Sequence, residues 1–321
     1  MLAIGVAAAV VTTLVAVLIP WLPVSAGKES HRIHFVYWFT TAICIGVFSV
    51  VVAVLTYSVI HFRARPDDDS DGPPTHGHTT LEIVWTAIPA VLVTAISIVS
   101  AVVLAQNGHA GNDPLVVKVK AQQFAWAFTY PNGKSYGYLT LPEGRHVKLD
   151  ITSQDVIHSF WVPELSQKQD AVPGQHNTIV VTPTRLGTYP VICTELCGLG
   201  HAVMRSHVEI VKAADFDAFL KSGGQQSGPA GLAVFQENGC GGCHTFKPAG
   251  ATGKVGPDLD NLADAAQKAN RGPEAQFVQE SIVKPQAYIA PGFTDAMPHT
   301  FGSQIPPDKL KALVQYLVKG S

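Results

Sequence analysis

Residues 193–204 read Cys193-Thr-Glu-Leu-Cys197-Gly-Leu-Gly-His201-Ala-Val-Met204. Two thiols, one imidazole and one thioether therefore lie within twelve residues of each other. Cys193 is also the last residue of "GTYPVIC" (187–193), whose β-branched and aromatic residues favour a strand. Soft sulfur ligands combined with imidazole select copper among the common metals. The pattern predicts a copper-binding loop at the end of a strand.

A second imidazole for this site is expected from elsewhere in the chain, and His158 in "HSFWVPE" is the best candidate. Two bridging thiolates with one imidazole per metal can hold two coppers close together, with the Met204 sulfur and the Glu195 backbone carbonyl as weak axial ligands. Three other interpretations stay open. Cys193 and Cys197 could form a disulfide in an oxidising compartment, or the loop could bind zinc, although zinc rarely uses methionine. His158 could also be an ordinary interior histidine.

The chain on either side of this loop has the pattern of short strands. The segment "LVVKVKAQQFAWAFTYPNG" (115–133) alternates, is rich in valine and aromatic residues, and ends in a turn signal. The segments "GRHVKLDITS" (144–153) and "NTIVVTP" (177–183) follow at a spacing typical of β-sandwiches. Residues 112–212 are therefore predicted to form an all-β sandwich, closed by a short helix over 214–221.

Three apolar stretches precede the sandwich. Of the 321 residues, 47% are hydrophobic and 14% are charged, a balance that favours a membrane protein. The net charge of −2 gives no reason to expect a nucleic-acid partner. Residues 36–60 and 83–105 are uncharged and long enough to span a bilayer. Residues 1–26 are also uncharged and are either a signal peptide or an extra transmembrane segment.

The pentapeptide Cys240-Gly-Gly-Cys243-His244 is the motif for covalent attachment of haem c. The two thiols would form thioether bonds, and His244 would be the proximal iron ligand. Met297 would be the distal ligand, and a His/Met pair raises the haem potential. His299 is a rival for the distal position. Cys240 and Cys243 could instead form a disulfide or bind zinc.

Several motifs together resemble subunit II of haem–copper cytochrome c oxidase over roughly residues 30–215. They are the two spans, "LEIVWTAIP", "HSFWVP", "QKQDAVPGQHN" and the copper loop, in family order and at family-like spacing. The resemblance implies that the sandwich has the cupredoxin-like Greek-key fold. By position, it implies that the ligands of a binuclear copper centre are His158, Cys193, Glu195 through its carbonyl, Cys197, His201 and Met204.

The same resemblance implies roles for further side chains. The Glu195 carboxylate would reach a magnesium ion at the border with the catalytic subunit. Glu82 falls where the family places a carboxylate near the mouth of a proton channel, although an interfacial anchor explains it equally well. Gln123-Phe124-Ala125-Trp126 stands where the family has Gln-Trp-x-Trp, whose first tryptophan passes the incoming electron. Phe124 at that position puts docking of a free cytochrome c in doubt, and Trp126 is either part of the electron route or a core aromatic.

Residues 228–321 resemble a class I cytochrome c, which is an all-α module. Its fusion behind a copper domain resembles the caa-type oxidases. The prediction is thus a multidomain chain with an α-helical transmembrane hairpin, an all-β sandwich and an all-α cytochrome module. The predicted ranges are 1–26 for the signal peptide or extra segment, 27–106 for the hairpin, 107–221 for the copper domain, 222–231 for a Gly/Ser/Gln linker and 232–321 for the cytochrome domain.

These resemblances imply the subunit through which electrons enter a proton-translocating terminal oxidase of the bacterial cell membrane. Electrons would pass from an external cytochrome c or a quinol–cytochrome c reductase to haem c and then to the copper centre. Subunit I, with haem a and copper, would reduce oxygen to water, and subunit III would be a further partner. Since haem c is attached outside the cytoplasmic membrane, the soluble modules are expected on the periplasmic or extracellular side.

Two alternative functions stay open. One is the copper-pair subunit of a nitric oxide reductase, which would use a different acceptor. The other is a membrane-anchored redox carrier that works without an oxidase, although a two-span hairpin is more than an anchor needs.

Overall fold

The computed structural model describes residues 1–63, 72, 74, 76–222 and 230–320. The chain divides into two compact units: one contains Met1–Val24 and Ser30–His109, and the other contains Ser25–Glu29 and Ala110–Ser321. The predicted linker, 222–231, lies largely outside the described residues, since 223–229 are not among them.

The first unit is helical, with α1 (Leu2–Leu18), α2 (Lys28–His61) and α3 (Thr79–Asn107). Among the described residues, α2 and α3 are long and apolar enough to cross a membrane, and α1 is shorter. They contain the predicted spans 36–60 and 83–105 and extend them at both ends. α1 packs on α2, since a Cβ added at Gly5 would lie 3.4 Å from the Cβ of Ala53. The apolar N-terminal stretch therefore contains a helix, Leu2–Leu18, that contacts α2.

The second unit begins with a sandwich of two five-stranded sheets. One sheet has the order β3-β2-β1-β5-β8 and the other β4-β10-β9-β6-β7. β1 pairs parallel with β5 and β4 parallel with β10, and the other ladders are antiparallel. The strands are β1 (Leu115–Gln122), β2 (Ala125–Thr129), β3 (Ser135–Tyr136), β4 (Leu139–Pro142), β5 (Val147–Ser153), β6 (His158–Val162), β7 (Gln167–Ala171), β8 (Asn177–Val181), β9 (Gly187–Cys193) and β10 (Arg205–Val211).

Alternation along the strands produces the sandwich core. In β5, residues 147, 149, 151 and 153 are buried and the residues between them are partly exposed, as expected for side chains that point to opposite faces. Trp126, Phe128 and Phe160 are among the largest fully buried side chains of this core. The predicted all-β sandwich is confirmed, with strands that run from Leu115 to Val211. Helix α4 (Ala213–Ser222) closes it and contributes Phe216.

The cytochrome module has its own hydrophobic core. The α5 helix begins at Ala230, inside the segment predicted as linker, and lies against the last helix, α10. Gly231 is required at this crossing, because an added Cβ would overlap the Tyr316 Cβ and the Ala312 carbonyl oxygen. The module comprises α5 (Ala230–Glu237), α6 (Cys240–Cys243), the short strands β11 (Thr245–Phe246) and β12 (Ala251–Thr252), α7 (Leu262–Ala269), α8 (Glu274–Val283), α9 (Phe301–Gln304) and α10 (Pro307–Gly320).

Candidate functional site

Two neighbouring strands bring together residues that are far apart in the sequence. His158 is the first residue of β6, and Cys193 is the last residue of β9. β6 and β9 pair antiparallel, with Phe160 opposite Cys193. The loop after Cys193 then folds back, and a short 3-10 turn over His201–Val203 leads to Met204. The sheet register therefore places the distant histidine beside the first sulfur of the loop.

The predicted copper ligands form one cluster. The two thiols are free, and their sulfur atoms are 3.9 Å apart. Each sulfur has one imidazole beside it: His158 Nδ1 lies 3.9 Å from Cys193 Sγ, and His201 Nδ1 lies 3.6 Å from Cys197 Sγ. The remaining predicted donors lie against the same sulfurs, with Met204 Sδ 3.9 Å from Cys197 Sγ and the Glu195 carbonyl oxygen 3.4 Å from Cys193 Sγ.

Burial shields this cluster from water. Cys193, Cys197 and His158 are buried and lie close enough to hold one ion, and Met204 is fully buried. Free thiols with two imidazoles and a thioether are a soft donor set that suits copper. The residues present therefore fit a copper centre.

The contact between the two thiols shifts their pKa values in opposite directions. A hydrogen bond from Cys197 lowers the pKa of Cys193, although burial opposes this, and the same contact raises the pKa of Cys197. Both sulfurs would hold a cation as thiolates, because metal ligation requires the deprotonated form.

Asp155 orients His158 and is a functional residue that the sequence analysis missed. Its Oδ1 lies 2.9 Å from His158 Nε2, which leaves Nδ1 directed at Cys193. Burial alone would lower the pKa of His158, but the hydrogen bonds to Asp155 and Cys193 outweigh burial and raise it. A carboxylate behind a metal-binding imidazole fixes its tautomer and orientation. The signal available in the sequence was an aspartate three residues before the histidine.

Gln123 is a second residue without a predicted role. Its side-chain amide donates to the Cys197 carbonyl oxygen at 2.6 Å, and its backbone N–H donates to Asp155 Oδ2 at 2.7 Å. Gln123 therefore ties the copper loop to the carboxylate that holds His158. No local pattern in the sequence indicates this contact, because 74 residues separate Gln123 from Cys197.

The two aromatic residues of the altered patch differ in environment. Trp126 is buried in the sandwich core, edge-on to Phe160 and with its ring centroid 6.3 Å from that of His158. Phe124 lies against the copper loop, where a Cβ added at Gly200 would overlap its ring and one at Gly198 would come within 3.2 Å. Trp126 is thus a core aromatic residue that also lies near His158, a predicted copper ligand.

The cytochrome module contains a cavity of about 530 Å³. Its walls include the four residues predicted to hold haem: Cys240, Cys243, His244 and Met297. Both thiols are free. His244 Nδ1 lies 2.7 Å from the Pro257 carbonyl oxygen, which leaves Nε2 for a ligand. Burial lowers the pKa of His244, and a neutral imidazole is the form that binds iron. The cavity and its donors therefore fit a haem.

The rival distal ligand points elsewhere. His299 is half exposed, and its Nε2 lies 2.9 Å from Asp295 Oδ1. Met297, in contrast, packs against the hydrophobic core of the module and lines the cavity. The structure therefore favours Met297 over His299 as the side chain available to an iron.

The other two predicted site residues are exposed. Glu195 presents its side chain to solvent between the predicted ligands, beside Leu196 and Leu199, whose exposed fractions are 79% and 75%. Glu82 lies in the first turn of α3, where its Oε1 accepts from the His78 N–H at 3.1 Å and His78 Nδ1 accepts from a later backbone N–H. Glu82 thus closes a reciprocal cap of the helix.

Three family models match the chain. The transmembrane domain of cytochrome c oxidase subunit II matches residues 4–103, and the periplasmic domain of the same subunit matches residues 134–211. The cytochrome c family matches residues 229–321. A subunit II periplasmic domain implies a copper site, and a cytochrome c domain implies haem.

Several curated relatives of this chain are named cytochrome c oxidase subunit 2. Cytochrome c oxidase subunit 2 of Synechocystis sp. is 36% identical over 233 residues, which is 58% of this chain and 70% of the relative. The subunit 2 of Alkalihalophilus pseudofirmus is 33% identical, covering 69% of each chain. The subunit 2 of Bacillus subtilis is 26% identical over 325 residues, covering 91% of this chain and 89% of the relative.

Among solved structures, the periplasmic domain of subunit II of cytochrome oxidase from Bradyrhizobium japonicum is similar over 36% of this chain and 96% of that domain. The sequence identity is 23% and the TM-score is 0.34. The family assignment follows from the sequence relatives and from the order of the matched domains. This chain is a member of the cytochrome c oxidase subunit 2 family, a membrane subunit of a haem–copper oxidase that has a cytochrome c domain at its C-terminal end.

Proposed function

We propose that this chain receives electrons on a covalently bound haem c and passes them, through a binuclear copper centre, to the subunit that reduces oxygen. The observation that carries the proposal is the arrangement of two free buried thiols with one imidazole beside each. Such a donor set can hold soft cations such as copper, and copper bound there would supply one-electron redox chemistry.

The protein's contribution at the copper centre is rigid positioning. Cys193 and Cys197 would hold the copper through their thiolates, and His158 and His201 through their imidazoles. The Met204 sulfur and the Glu195 carbonyl oxygen would be further, weaker donors. Because Asp155 and Gln123 already fix the histidine and the loop, the ligands need little movement when the charge on the centre changes, which keeps one-electron transfer fast.

At the haem pocket, Cys240 and Cys243 would hold the porphyrin through thioether bonds. The Pro257 carbonyl fixes the ring of His244, which presents its other nitrogen as the proximal ligand. Met297 would be the second side chain to hold the iron, and a His/Met pair would raise the haem potential. A high potential would make the haem a good acceptor for an electron from an external donor.

The exposed tip of the copper loop is the proposed face for subunit I. Leu196 and Leu199 are two large apolar side chains that the loop presents to solvent on either side of Cys197. Exposed apolar groups rimmed by polar ones are typical of protein interfaces. The exposed carboxylate of Glu195 lies in the same stretch, where it would reach a magnesium ion at the border with subunit I.

The proposed location is the bacterial cell membrane, with α2 and α3 as its spanning helices. Haem c attachment takes place outside the cytoplasmic membrane, so the soluble modules are proposed to lie on the periplasmic or extracellular side. The proposed partners are subunits I and III, and an external cytochrome c or a quinol–cytochrome c reductase as donor.

Metal content and electron paramagnetic resonance test the proposal. The whole chain, produced with haem-attachment machinery and copper and purified in detergent, is expected to contain about two coppers per haem iron, with a mixed-valence signal split by two equivalent copper nuclei. Cys197→Ser, as the control, is expected to lose this signal while its iron content stays unchanged. A chain that binds iron but no copper would refute the ligand assignment.

A further inference from the structure

A short segment of the chain between two apolar stretches pairs with the sandwich in the manner of a strand. This segment, Ser25–Glu29, is named the strap, and it belongs to the same compact unit as the sandwich. Gly27 forms an antiparallel bridge with Pro183, and the Thr184 N–H donates to the Ala26 carbonyl oxygen at 2.8 Å. These partners lie just after β8, which is the outer strand of its sheet. The strap therefore covers the end of a sheet edge.

The strap also takes part in the packing of the sandwich core. Ala26 is fully buried and belongs to that core. Its N–H donates to the Glu164 carbonyl oxygen at 2.8 Å, so both backbone polar groups of Ala26 have partners in the sandwich. Gly27 is buried as well, and a Cβ added there would lie 3.3 Å from Leu165 Cδ2. The strap is therefore a packed element of the sandwich.

Glu29 anchors the strap through a buried carboxylate. Glu29 is 3% exposed, and its two carboxylate oxygens accept hydrogen bonds from the N–H and the hydroxyl of Thr182, both at 2.7 Å. Because the Thr182 hydroxyl donates its one proton to Glu29, its oxygen is left to accept from His146 Nδ1 at 2.8 Å. The Lys28 N–H donates to the Thr182 carbonyl oxygen at 3.0 Å. Hydrogen bonds to an ionised carboxylate are among the strong ones, so this anchor fixes the strap.

The strap includes the one position at which the sequence resembles a cleavage site for a signal peptide, after Val24-Ser25-Ala26. Cleavage there would take Ala26 out of the core and remove the hydrogen-bond partners of the Glu164 carbonyl and the Thr184 N–H. Buried backbone groups that lose their partners cost about as much as a lost hydrogen bond. Residues 1–27 also contain no Lys or Arg, although the start of a signal peptide is usually positively charged.

We propose that the peptide bond between Ala26 and Gly27 stays intact, so that the strap is a permanent part of the sandwich and α1 remains joined to it as a third membrane helix. α1 has 17 residues, which falls within the range of about 17–25 residues that span a bilayer. Large side chains of α1 such as Leu2 and Leu18 are exposed in the described part of the chain, and lipid would cover them. Neither copper nor haem takes part in these contacts.

The intact mass of the full chain shows whether residues 1–26 are present. The chain is produced in a bacterium that has an active signal peptidase, and its mass is measured after extraction in detergent. The purified chain is expected to contain residues 1–26. A lipid-soluble photoreactive reagent added to the membranes before extraction is expected to label α1. A chain that begins at Gly27, or an intact chain without label in α1, would overturn the proposal.

Trypsin tests whether Glu29 and Thr182 hold the strap. Lys28 is exposed, but its backbone is paired with Thr182, so cleavage after Lys28 requires the strap to detach. Thr182→Val removes the hydroxyl between Glu29 and His146. In the full chain in detergent, this variant is expected to be cut after Lys28 about tenfold faster or more, the change that corresponds to the loss of one hydrogen bond to a charged group. Thr178→Val, at an exposed position of β8, is the matched control and should be cut at the wild-type rate.

A second pair of variants changes the carboxylate. Glu29→Ala removes both acceptor oxygens and is expected to speed cleavage after Lys28 more than Thr182→Val does, whereas Glu143→Ala, at an exposed position, should leave the rate unchanged. If Glu29→Ala fails to fold, the two threonine variants still decide the result. Equal cleavage rates in wild type, Thr182→Val and Thr178→Val would refute the anchoring of the strap, even in a chain that keeps residues 1–26.

Discussion

Asp155 and Asp150 provide a matched pair of carboxylates on the sandwich. Asp155 contacts buried His158 at the candidate copper centre, and Asp150 contacts exposed His176. The nitrogen–oxygen distance is 2.9 Å in both pairs. Burial raises the pKa of Asp155, but the hydrogen bonds from His158, Gln123 and Val156 outweigh burial and hold that pKa below its usual range. The hydrogen bonds of the folded protein therefore favour the ionised form of the Asp155 carboxyl.

Asp155→Asn is expected to weaken copper binding by about 10- to 100-fold, because it removes the charge that orients the ligating imidazole. Competition with a copper chelator measures the affinity, and electron paramagnetic resonance measures the change in the copper environment. Asp150→Asn is the control and should bind copper as wild type does. Equal affinities for the two variants would mean that Asp155 has no part in orienting the ligand.

The identity of the distal haem ligand, Met297 or His299, can be tested through the haem midpoint potential. Met297→His is expected to lower the midpoint potential of the haem, since a thioether ligand favours the ferrous state more than imidazole does. His299→Leu should leave the potential unchanged, because His299 is directed at Asp295. Spectroelectrochemical titration of the whole chain measures both. A large shift in the His299 variant with none in the Met297 variant would reverse the assignment.

At the scale of secondary structure, the crossing of α5 and α10 holds the cytochrome module together. Gly231 allows the close approach, and Tyr316 and Leu317 of α10 are buried in the same core as Phe235 of α5. Both helices are short, at 8 and 14 residues, so their stability comes mainly from this packing rather than from helix propensity.

Gly231→Ala is expected to lower the free energy of unfolding of the cytochrome module by about 1–3 kcal/mol, the usual cost of overpacking. The gain in helix propensity from glycine to alanine, about 1 kcal/mol, offsets part of this loss. Denaturant titration followed by haem absorbance gives the value. Ala230→Ser, at an exposed position of the same helix, should change the free energy of unfolding little. A Gly231→Ala protein that is more stable than wild type would show that the two helices can move apart without cost.

At the scale of the whole molecule, the second unit contains two separate hydrophobic cores, one for the sandwich and one for the cytochrome module. The candidate copper ligands all belong to the sandwich, and the candidate haem ligands all belong to the other module. Cofactor binding is therefore expected to stabilise each core separately.

Removing copper with a chelator is expected to lower the unfolding temperature of the sandwich and to leave that of the cytochrome module nearly unchanged. A ligand that binds only the folded state at 100 times its Kd contributes about 2.7 kcal/mol. Calorimetry of the full chain in detergent separates the two transitions. In Cys197→Ser the chelator should leave both unfolding temperatures unchanged. If the chelator lowers both unfolding temperatures of the wild type equally, the two cores are not independent.

Much of the architecture was predictable because its signals are local. The predicted apolar runs of α2 and α3, the alternation in β1 and β5, and the short helix that closes the sandwich depend on residues that are neighbours in sequence. The copper loop was predictable for the same reason, since Cys193, Cys197 and Met204 lie within one short segment. The ends of the helices were harder to predict, because polar residues such as Lys28 continue a helix beyond its apolar span.

By itself, the sequence determined the types and spacing of the donors: two thiols, an imidazole and a thioether in one loop, and two thiols with an adjacent histidine in another. Only the tertiary structure decided which distant groups complete these sites. The register of β6 against β9 brings His158 to Cys193, and the packing of Gly239 on Ala125 brings Phe124 to the haem cavity. The physical reason is that a strand's alternation specifies its buried face, whereas its partners depend on the packing of the entire sandwich.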